Sequence, residues 1–178
     1  MMGDSVETGT AFLKHQIDNT VAQHTAFLNA LEEHEERAND PRFSDLCARH
    51  IPHLRGHHRM LEEYQSQLGD EEHVAEAMAG VVVVVRHLAD AARESDYLRL
   101  VGDIVLARQS EDAFKTFREA GKMMGNRTLQ EIGDIGERRH DAFIKEANRL
   151  AQHMFVERTE GIEGAGRRPR SSDLEATI

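Results

Sequence analysis

Histidine is the side chain whose number and spacing most suggest chemistry in this 178-residue chain, which contains 11 of them. Four lie close together, at positions 50, 53, 57 and 58. A Glu-x-x-His pair, Glu137 and His140, follows towards the C-terminal end. Imidazole and carboxylate groups are common transition-metal ligands, and side chains three positions apart on a helix point the same way. If these stretches are helical, each can offer two donor atoms to one metal ion.

The candidate ligands recur at an interval of 87 residues along the chain. At this interval His24 corresponds to Glu111, His50 to Glu137, and His53 to His140. Each half of the chain therefore has one ligand-type residue followed, 26 and 29 positions later, by an i, i+3 pair. On antiparallel helical hairpins the single residue would close the site from across the bundle. We predict a metal site made by these six residues, with His57 as a reserve ligand or a group that orients one.

The charge of the predicted site favours a single divalent ion. Its only carboxylates are Glu111 and Glu137, and two carboxylates balance one divalent cation. One ion, or two with the second weakly held, is therefore expected. Imidazole-rich ligation suits Fe, Zn, Ni or Cu better than Mg or Ca. Arg108, one turn before Glu111, offers a structural alternative, because it could neutralise this carboxylate in place of a metal.

Long helices are the elements that must position these residues. The chain has only three prolines, and the stretches between Gly and Pro residues are rich in good helix formers. Helices are predicted over residues 10–37, 41–68, 71–94, 96–125 and 128–161, the third being the shortest. Asp40 with Pro41 is expected to start the second helix, and Thr128 with Glu131 to start the fifth as a capping box. Pro52 predicts a kink or bulge within the second helix.

The second helix carries histidines in the stripe that is predicted to face inward. An apolar residue or a histidine recurs every three or four positions along it. The members of this stripe are Cys47, His50, Leu54, His57, Leu61, Tyr64 and Leu68. Two of the predicted ligands should therefore be buried rather than solvated.

Four stretches carry a resemblance to a known family: VAQHTAFLNALEEH, RHIPHLRGHH, LARQSEDAF and IGERRHDAF. Over residues 10–157 the chain resembles the ferritin-like di-iron carboxylate proteins, and it is most similar to their small, stress-associated YciF-type branch. The resemblance implies an all-α, ferritin-like antiparallel four-helix bundle of two hairpins, with a short extra helix in the crossover. It also implies a homodimer and a non-haem site for iron, with zinc or manganese as alternatives. The chain departs from the family at His24 and His50, which stand where Glu is expected.

Two other interpretations stay open, as does the question of whether a bound metal takes part in a reaction. A helical dimer with a decayed site would hold these histidines in hydrogen bonds and serve a structural or interaction role; the two missing carboxylates favour it. A haemerythrin-type oxygen carrier is suggested by His24 and by His58 with Glu62. That class needs a His-x-x-x-His pair on its third helix, and no such spacing occurs between His73 and His87.

Composition argues against several classes of protein. A formal net charge of −10 opposes binding to a phosphate backbone, so nucleic acid is not an expected partner. Cys47 is the only cysteine, which excludes an intrachain disulfide and a thiolate zinc cluster and favours a cytoplasmic location. No stretch has the length and apolar character of a membrane span, and the first residues do not follow a signal-peptide pattern. Residues 1–9 are expected to be a flexible N-terminus, 10–160 one domain, and 161–178 a disordered tail.

Overall fold

A computed structural model describes residues 8–69 and 95–160 of the chain. These residues form four helices and no strand: α1 (Gly9–Arg37), α2 (Pro41–Gln67), α3 (Asp96–Met124) and α4 (Arg127–Thr159). The all-α prediction is confirmed at this level. The helix predicted at 71–94, most of the predicted flexible N-terminus and the predicted tail at 161–178 lie outside the described residues.

The ends of the helices follow from local side-chain chemistry. Asp40 accepts a hydrogen bond from the backbone N–H of Arg42 at 2.9 Å, and Pro41 occupies the first turn of α2. Gly125 ends α3 with φ of +67°, a left-handed conformation that favours glycine.

The predicted capping box at the start of the last helix is wrong. Asn126 is the N-cap of α4, and its side chain accepts a hydrogen bond from the backbone N–H of Leu129 at 3.0 Å. Thr128 therefore already lies within the first turn. The left-handed glycine at position 125 brings the chain round early enough for the next residue to cap the helix.

The four helices pack as a closed ring in which every neighbouring pair is antiparallel. α1 packs against α2 and α3, and α4 packs against the same two helices. Between α2 and α4, Tyr64 accepts a hydrogen bond from Asn126 at one end of the bundle, and Arg42 pairs with Glu157 at the other. Because α2 and α3 are diagonal in this ring, they run in the same direction.

α2 ends and α3 begins at opposite ends of the bundle. Near the end of α2, Gln65 donates a hydrogen bond to Asp18 of α1 at 2.8 Å. At the start of α3, Asp96 accepts a hydrogen bond from the backbone N–H of Asp40, which lies in the loop between α1 and α2. Leu68 and Ser95 are therefore separated by about the length of the bundle.

Buried apolar residues form two clusters along the bundle. The larger one contains Phe27, Leu54 and Phe143, and the smaller one contains Ile17, Leu61 and Ile132. On α1, α2 and α4 a fully buried histidine lies in sequence between members of the two clusters. A polar layer therefore separates the two halves of the apolar core.

Glycines bring α3 and α4 unusually close together. A Cβ atom on Gly121 would lie 2.4 Å from the backbone nitrogen of Gln130, and one on Gly133 would lie 2.3 Å from that of Arg118. Real Cβ atoms do not approach other atoms so closely, so only glycine fits at either position. Gly121 and Gly133 therefore allow a close contact between two helices of the same chain.

In the part of the chain that the structure describes, no helix has the length and apolar character required to cross a membrane.

Candidate metal centre

Three histidines from three different helices meet in the polar layer of the core. They are His24 of α1, His57 of α2 and His140 of α4, and each has 0 % of its surface exposed. The ring centroid of His24 lies 5.1 Å from that of His140 and 5.5 Å from that of His57. The rings of His57 and His140 are 6.3 Å apart. The structure thus brings together three of the seven predicted ligands.

Hydrogen bonds on one side of the ring determine the tautomers of His57 and His140. His57 Nε2 lies 2.9 Å from the backbone oxygen of Ile132, and His140 Nδ1 lies 2.8 Å from that of Gly136. A carbonyl oxygen only accepts, so each of these nitrogens carries a hydrogen. In the neutral ring the other nitrogen, Nδ1 of His57 and Nε2 of His140, is then a lone-pair acceptor.

Burial keeps the three imidazoles neutral. It lowers the pKa of His140 to about 3 and the pKa of His57 to about 4. Burial also holds the pKa of His24 well below its ordinary value, and the neighbouring His140 and His57 lower it further. Neutral imidazole is the form that binds a metal ion.

The second nitrogen of each ring has no hydrogen-bond partner. Within the described residues, the buried side-chain atoms without a partner are His24 Nε2, His57 Nδ1, His140 Nε2 and Ser110 Oγ. A buried polar atom without a partner costs about 1–3 kcal/mol. In native cores, buried polar atoms of this kind usually have an ordered water or an ion as their partner.

Aromatic rings enclose the histidine cluster. Phe114 of α3 lies 4.6 Å from His57, 5.0 Å from His140 and 6.0 Å from His24, measured between ring centroids. Phe27 of α1 lies 5.5 Å from His140. Ser110, whose hydroxyl is unpartnered, lies one turn before Phe114 on α3. The surroundings of the cluster are therefore mainly apolar, which strengthens any interaction between the lone pairs and a cation.

Two of the three ring separations match those of imidazoles that share one metal ion. Two imidazoles bound at about 2.1 Å to one tetrahedral ion have ring centres about 5 Å apart. The two separations that involve His24 are close to this value, and the 6.3 Å between His57 and His140 is longer. As placed, no three His, Cys, Asp or Glu side chains in residues 8–69 and 95–160 form a metal-binding group.

Comparison with known proteins does not assign the cluster. No protein-family model matches the chain, and no curated protein or solved structure does so either. The interpretation of the site therefore depends on its own geometry.

The predicted i, i+3 pair on α2 does not face the cluster. His53 is exposed, and its backbone oxygen accepts a hydrogen bond from Arg139. His50 is buried against the ring of Phe143, but its Nε2 lies 3.3 Å from Oε1 of Glu146. The residue that reaches the cluster from this helix is His57, one turn beyond His53, which the sequence had indicated only as a reserve.

The two predicted carboxylate ligands are each paired with a basic side chain of α3. Glu111 is buried and lies 2.8 Å from Nζ of Lys115, and Glu137 is paired with Arg118. The structural alternative predicted a pair between Glu111 and Arg108. Glu111 is paired with a basic side chain, but that side chain belongs to Lys115. Arg108 is exposed, and the residue one turn after Glu111 neutralises it instead.

The register between the two hairpins explains these differences. The 87-residue interval predicts that Glu111 of α3 faces His24. In the structure Phe114, three residues further along α3, faces His24 instead. Close approach through Gly133 and Gly136 sets how α3 and α4 slide along each other. The first hairpin has no such glycine contact between its helices, because a Cβ on Gly56 of α2 would meet only Nη1 of Arg139, at 3.5 Å.

A residue outside the predicted ligand set also contacts the cluster. His58 follows His57 on α2, and its Nδ1 lies 3.2 Å from Nδ1 of His24. Its ring is almost parallel to that of His24, with an interplanar angle of 8°. The signal in the sequence is the pair of adjacent histidines, since consecutive helical positions point about 100° apart and reach two different neighbours.

Proposed function

We propose that this protein is a ferritin-like, non-haem metal-binding protein that holds one divalent ion at His24, His57 and His140. The observation that carries the proposal is the set of three buried ring nitrogens without a partner, contributed by three helices. In two of these rings the opposite nitrogen donates to a backbone carbonyl. Metal-binding histidines in proteins almost always show this arrangement, because it orients the ring and its lone pair.

Iron is the first candidate for the ion, and zinc is the nearest alternative. Neutral imidazoles suit iron, zinc, nickel and copper, whereas manganese prefers carboxylate and water ligands. With Glu111 and Glu137 paired to basic side chains, the donors nearest the cluster are nitrogens. Three protein ligands also leave a coordination position for water or a small ligand, as catalytic zinc sites do.

The direction of the helices supports the ferritin-like part of the proposal. Ferritin-like bundles have one long crossover, whereas haemerythrin-type bundles run up and down with short loops. Here α2 and α3 run in the same direction, and Leu68 and Ser95 lie at opposite ends of the bundle. This favours the ferritin-like interpretation over the haemerythrin-type one. A stress-associated cytoplasmic homodimer remains part of the proposal, and light scattering of the purified protein would test the dimer.

Metal analysis of the purified protein tests the proposal directly. The protein is produced with added iron, zinc or manganese in turn, and its metal content is measured after removal of loosely bound ions. We expect about one ion per chain, and a large loss in the variants His57→Ala and His140→Ala. His53→Ala is the matched control, because this histidine is exposed on the same helix. A wild-type protein that stays free of all three metals would overturn the proposal.

A structural role is the second candidate, and the pairing of the carboxylates favours it. Lys115 and Arg118 occupy the positions where a metal would otherwise neutralise Glu111 and Glu137. If the histidines only pack, added zinc or iron would leave the midpoint of thermal unfolding unchanged. If they bind an ion, saturating metal raises the midpoint, because a ligand that binds only the folded state stabilises it.

A further inference from the structure

The hydrogen position in the His24–His58 contact decides what His24 can bind. The two Nδ1 atoms are 3.2 Å apart, so one of them carries the hydrogen and the other accepts it. If His58 donated, neutral His24 would carry its own hydrogen on Nε2, which is buried without a partner. If His24 donates, its Nε2 is a lone pair instead. The surroundings of His58 distinguish these two cases.

Two acceptors surround the other nitrogen of His58. Its Nε2 lies 3.3 Å from Oε1 of Glu62, and a carboxylate accepts. It also lies 3.4 Å from Oγ1 of Thr25. The hydroxyl of Thr25 already donates to the backbone oxygen of Val21 at 2.8 Å, so towards His58 its oxygen can only accept. Both contacts require a hydrogen on Nε2 of His58.

We infer that His58 is a positioning residue that makes His24 Nε2 a lone-pair donor to a cation. Neutral His58, with its hydrogen on Nε2, presents a lone pair at Nδ1 and accepts the Nδ1–H of His24. Nε2 of His24 is then a lone pair that is turned away from His58 and enclosed in the core. The functional meaning of this inference rests on the metal site proposed above.

The consequence is that all three unpartnered ring nitrogens are acceptors. His57 Nδ1 and His140 Nε2 are lone pairs because their opposite nitrogens donate to carbonyl oxygens. With His24 Nε2 in the same state, the cluster offers three lone pairs and no N–H. Such a set excludes an anion as its direct ligand, and it suits a divalent transition-metal ion or the hydrogens of a water molecule.

Nuclear magnetic resonance of the metal-free protein tests the assignment without any metal. Nitrogen-15 shifts and couplings of the imidazoles report which nitrogen of each ring carries the hydrogen. We expect His24 to be protonated at Nδ1 only. His58→Leu removes the acceptor and should shift His24 towards the Nε2–H form. His58→Asn keeps an oxygen acceptor near the position of Nδ1, so His24 should carry its hydrogen on Nδ1 as in the wild type.

The exposed His53 provides the control for the spectrum, since His53→Leu should leave the signals of His24 unchanged. A wild-type His24 that carries its hydrogen on Nε2 would overturn the inference. So would an unchanged His24 tautomer in His58→Leu. If His58→Leu folds poorly, the tautomer of His24 in the wild type and in His58→Asn, which retains the acceptor, still tests the inference.

Zinc affinity, measured by competition with a chromophoric chelator, tests the functional consequence. Loss of a group that orients a ligating histidine weakens metal binding by about 10–100-fold. We expect this loss in His58→Leu, a smaller one in His58→Asn, and none in His53→Leu. If the wild type binds zinc and His58→Leu binds it equally well, the inference fails alone. If the wild type binds no zinc and also stays free of iron and manganese, the proposed function fails, and the spectrum still decides the tautomer.

Discussion

Gly136 of α4 packs directly against the ring of Phe114 of α3. A Cβ atom at position 136 would lie 2.5 Å from Cγ of Phe114 and 2.6 Å from Cε1 of His57. Gly133, one turn earlier, lies against the backbone of α3, where its Cβ would be 2.6 Å from the oxygen of Phe114. The close contact between these two helices and the position of the histidine cluster therefore depend on the same stretch of α4.

Gly133→Ala and Gly136→Ala should both lower the free energy of unfolding. Alanine gains about 1 kcal/mol of helix propensity over glycine, but overpacking a close contact costs about 1–3 kcal/mol. We expect the larger loss for Gly133→Ala, because the atoms that its Cβ meets are backbone atoms. Urea denaturation followed by circular dichroism measures the change.

Gly56→Ala is the matched control for this pair. Its Cβ would meet only Nη1 of Arg139, at 3.5 Å, which is ordinary van der Waals contact. This variant should therefore gain stability, by up to about 1 kcal/mol. A gain in Gly133→Ala as well would show that α3 and α4 are farther apart than described.

Stability should fall as the solution is made acidic, because the core histidines resist protonation in the folded state. The pKa is about 4 for His57 and about 3 for His140, whereas an unfolded histidine titrates near 6.5. Between these values the unfolded chain binds more protons, so the free energy of unfolding decreases as pH falls. Between about pH 7.5 and pH 5.5 we expect a loss of about 1 kcal/mol for each of the two residues.

Denaturation curves across this pH range measure the dependence in metal-free protein. The slope gives the number of protons taken up on unfolding, and we expect it to approach two or more near about pH 5. A free energy of unfolding that stays constant from about pH 7.5 to pH 5.5 would mean that these imidazoles are accessible to protons in the folded state.

Asn126→Ala should destabilise the protein more than Thr128→Ala does. Asn126 caps α4 and donates from Nδ2 to the hydroxyl of Tyr64 at 2.8 Å. Loss of an N-cap costs about 1–2 kcal/mol. Thr128 is exposed in the first turn, so its replacement should change stability by less than about 0.5 kcal/mol. Equal effects in thermal unfolding would argue for the capping box that the sequence suggested.

Most of the helical architecture could be predicted from local patterns. The start of α2 at Pro41 and the end of α3 next to Gly125 follow from residues that cap or stop a helix wherever they occur. The inward stripe of α2 was also predictable, since six of its seven residues are buried and Leu68 is partly buried. The N-cap of α4 is Asn126, two residues before the predicted Thr128, because the conformation of Gly125 is not part of the local pattern.

The candidate site was predictable only in part, because its members had to be chosen from several residues on the same helical faces. His24, His57 and His140 lie on inward stripes and meet in the core. His50 lies on the same stripe as His57, about two turns away, and makes its contact with Glu146 instead. The pattern of a helical face repeats along its length and therefore does not say which turn faces which.

By itself, the sequence determined the helices, most of their ends and the histidines that face inward, because all of these depend on neighbours within a few positions. Only the tertiary structure decided that His57 rather than His53 joins His24 and His140. It also decided that Lys115 and Arg118 neutralise the two predicted carboxylate ligands. The position of one helix along another depends on how their surfaces interdigitate, and these surfaces come from residues far apart in the chain. Here the contact is made by Gly133 and Gly136 of α4 against α3.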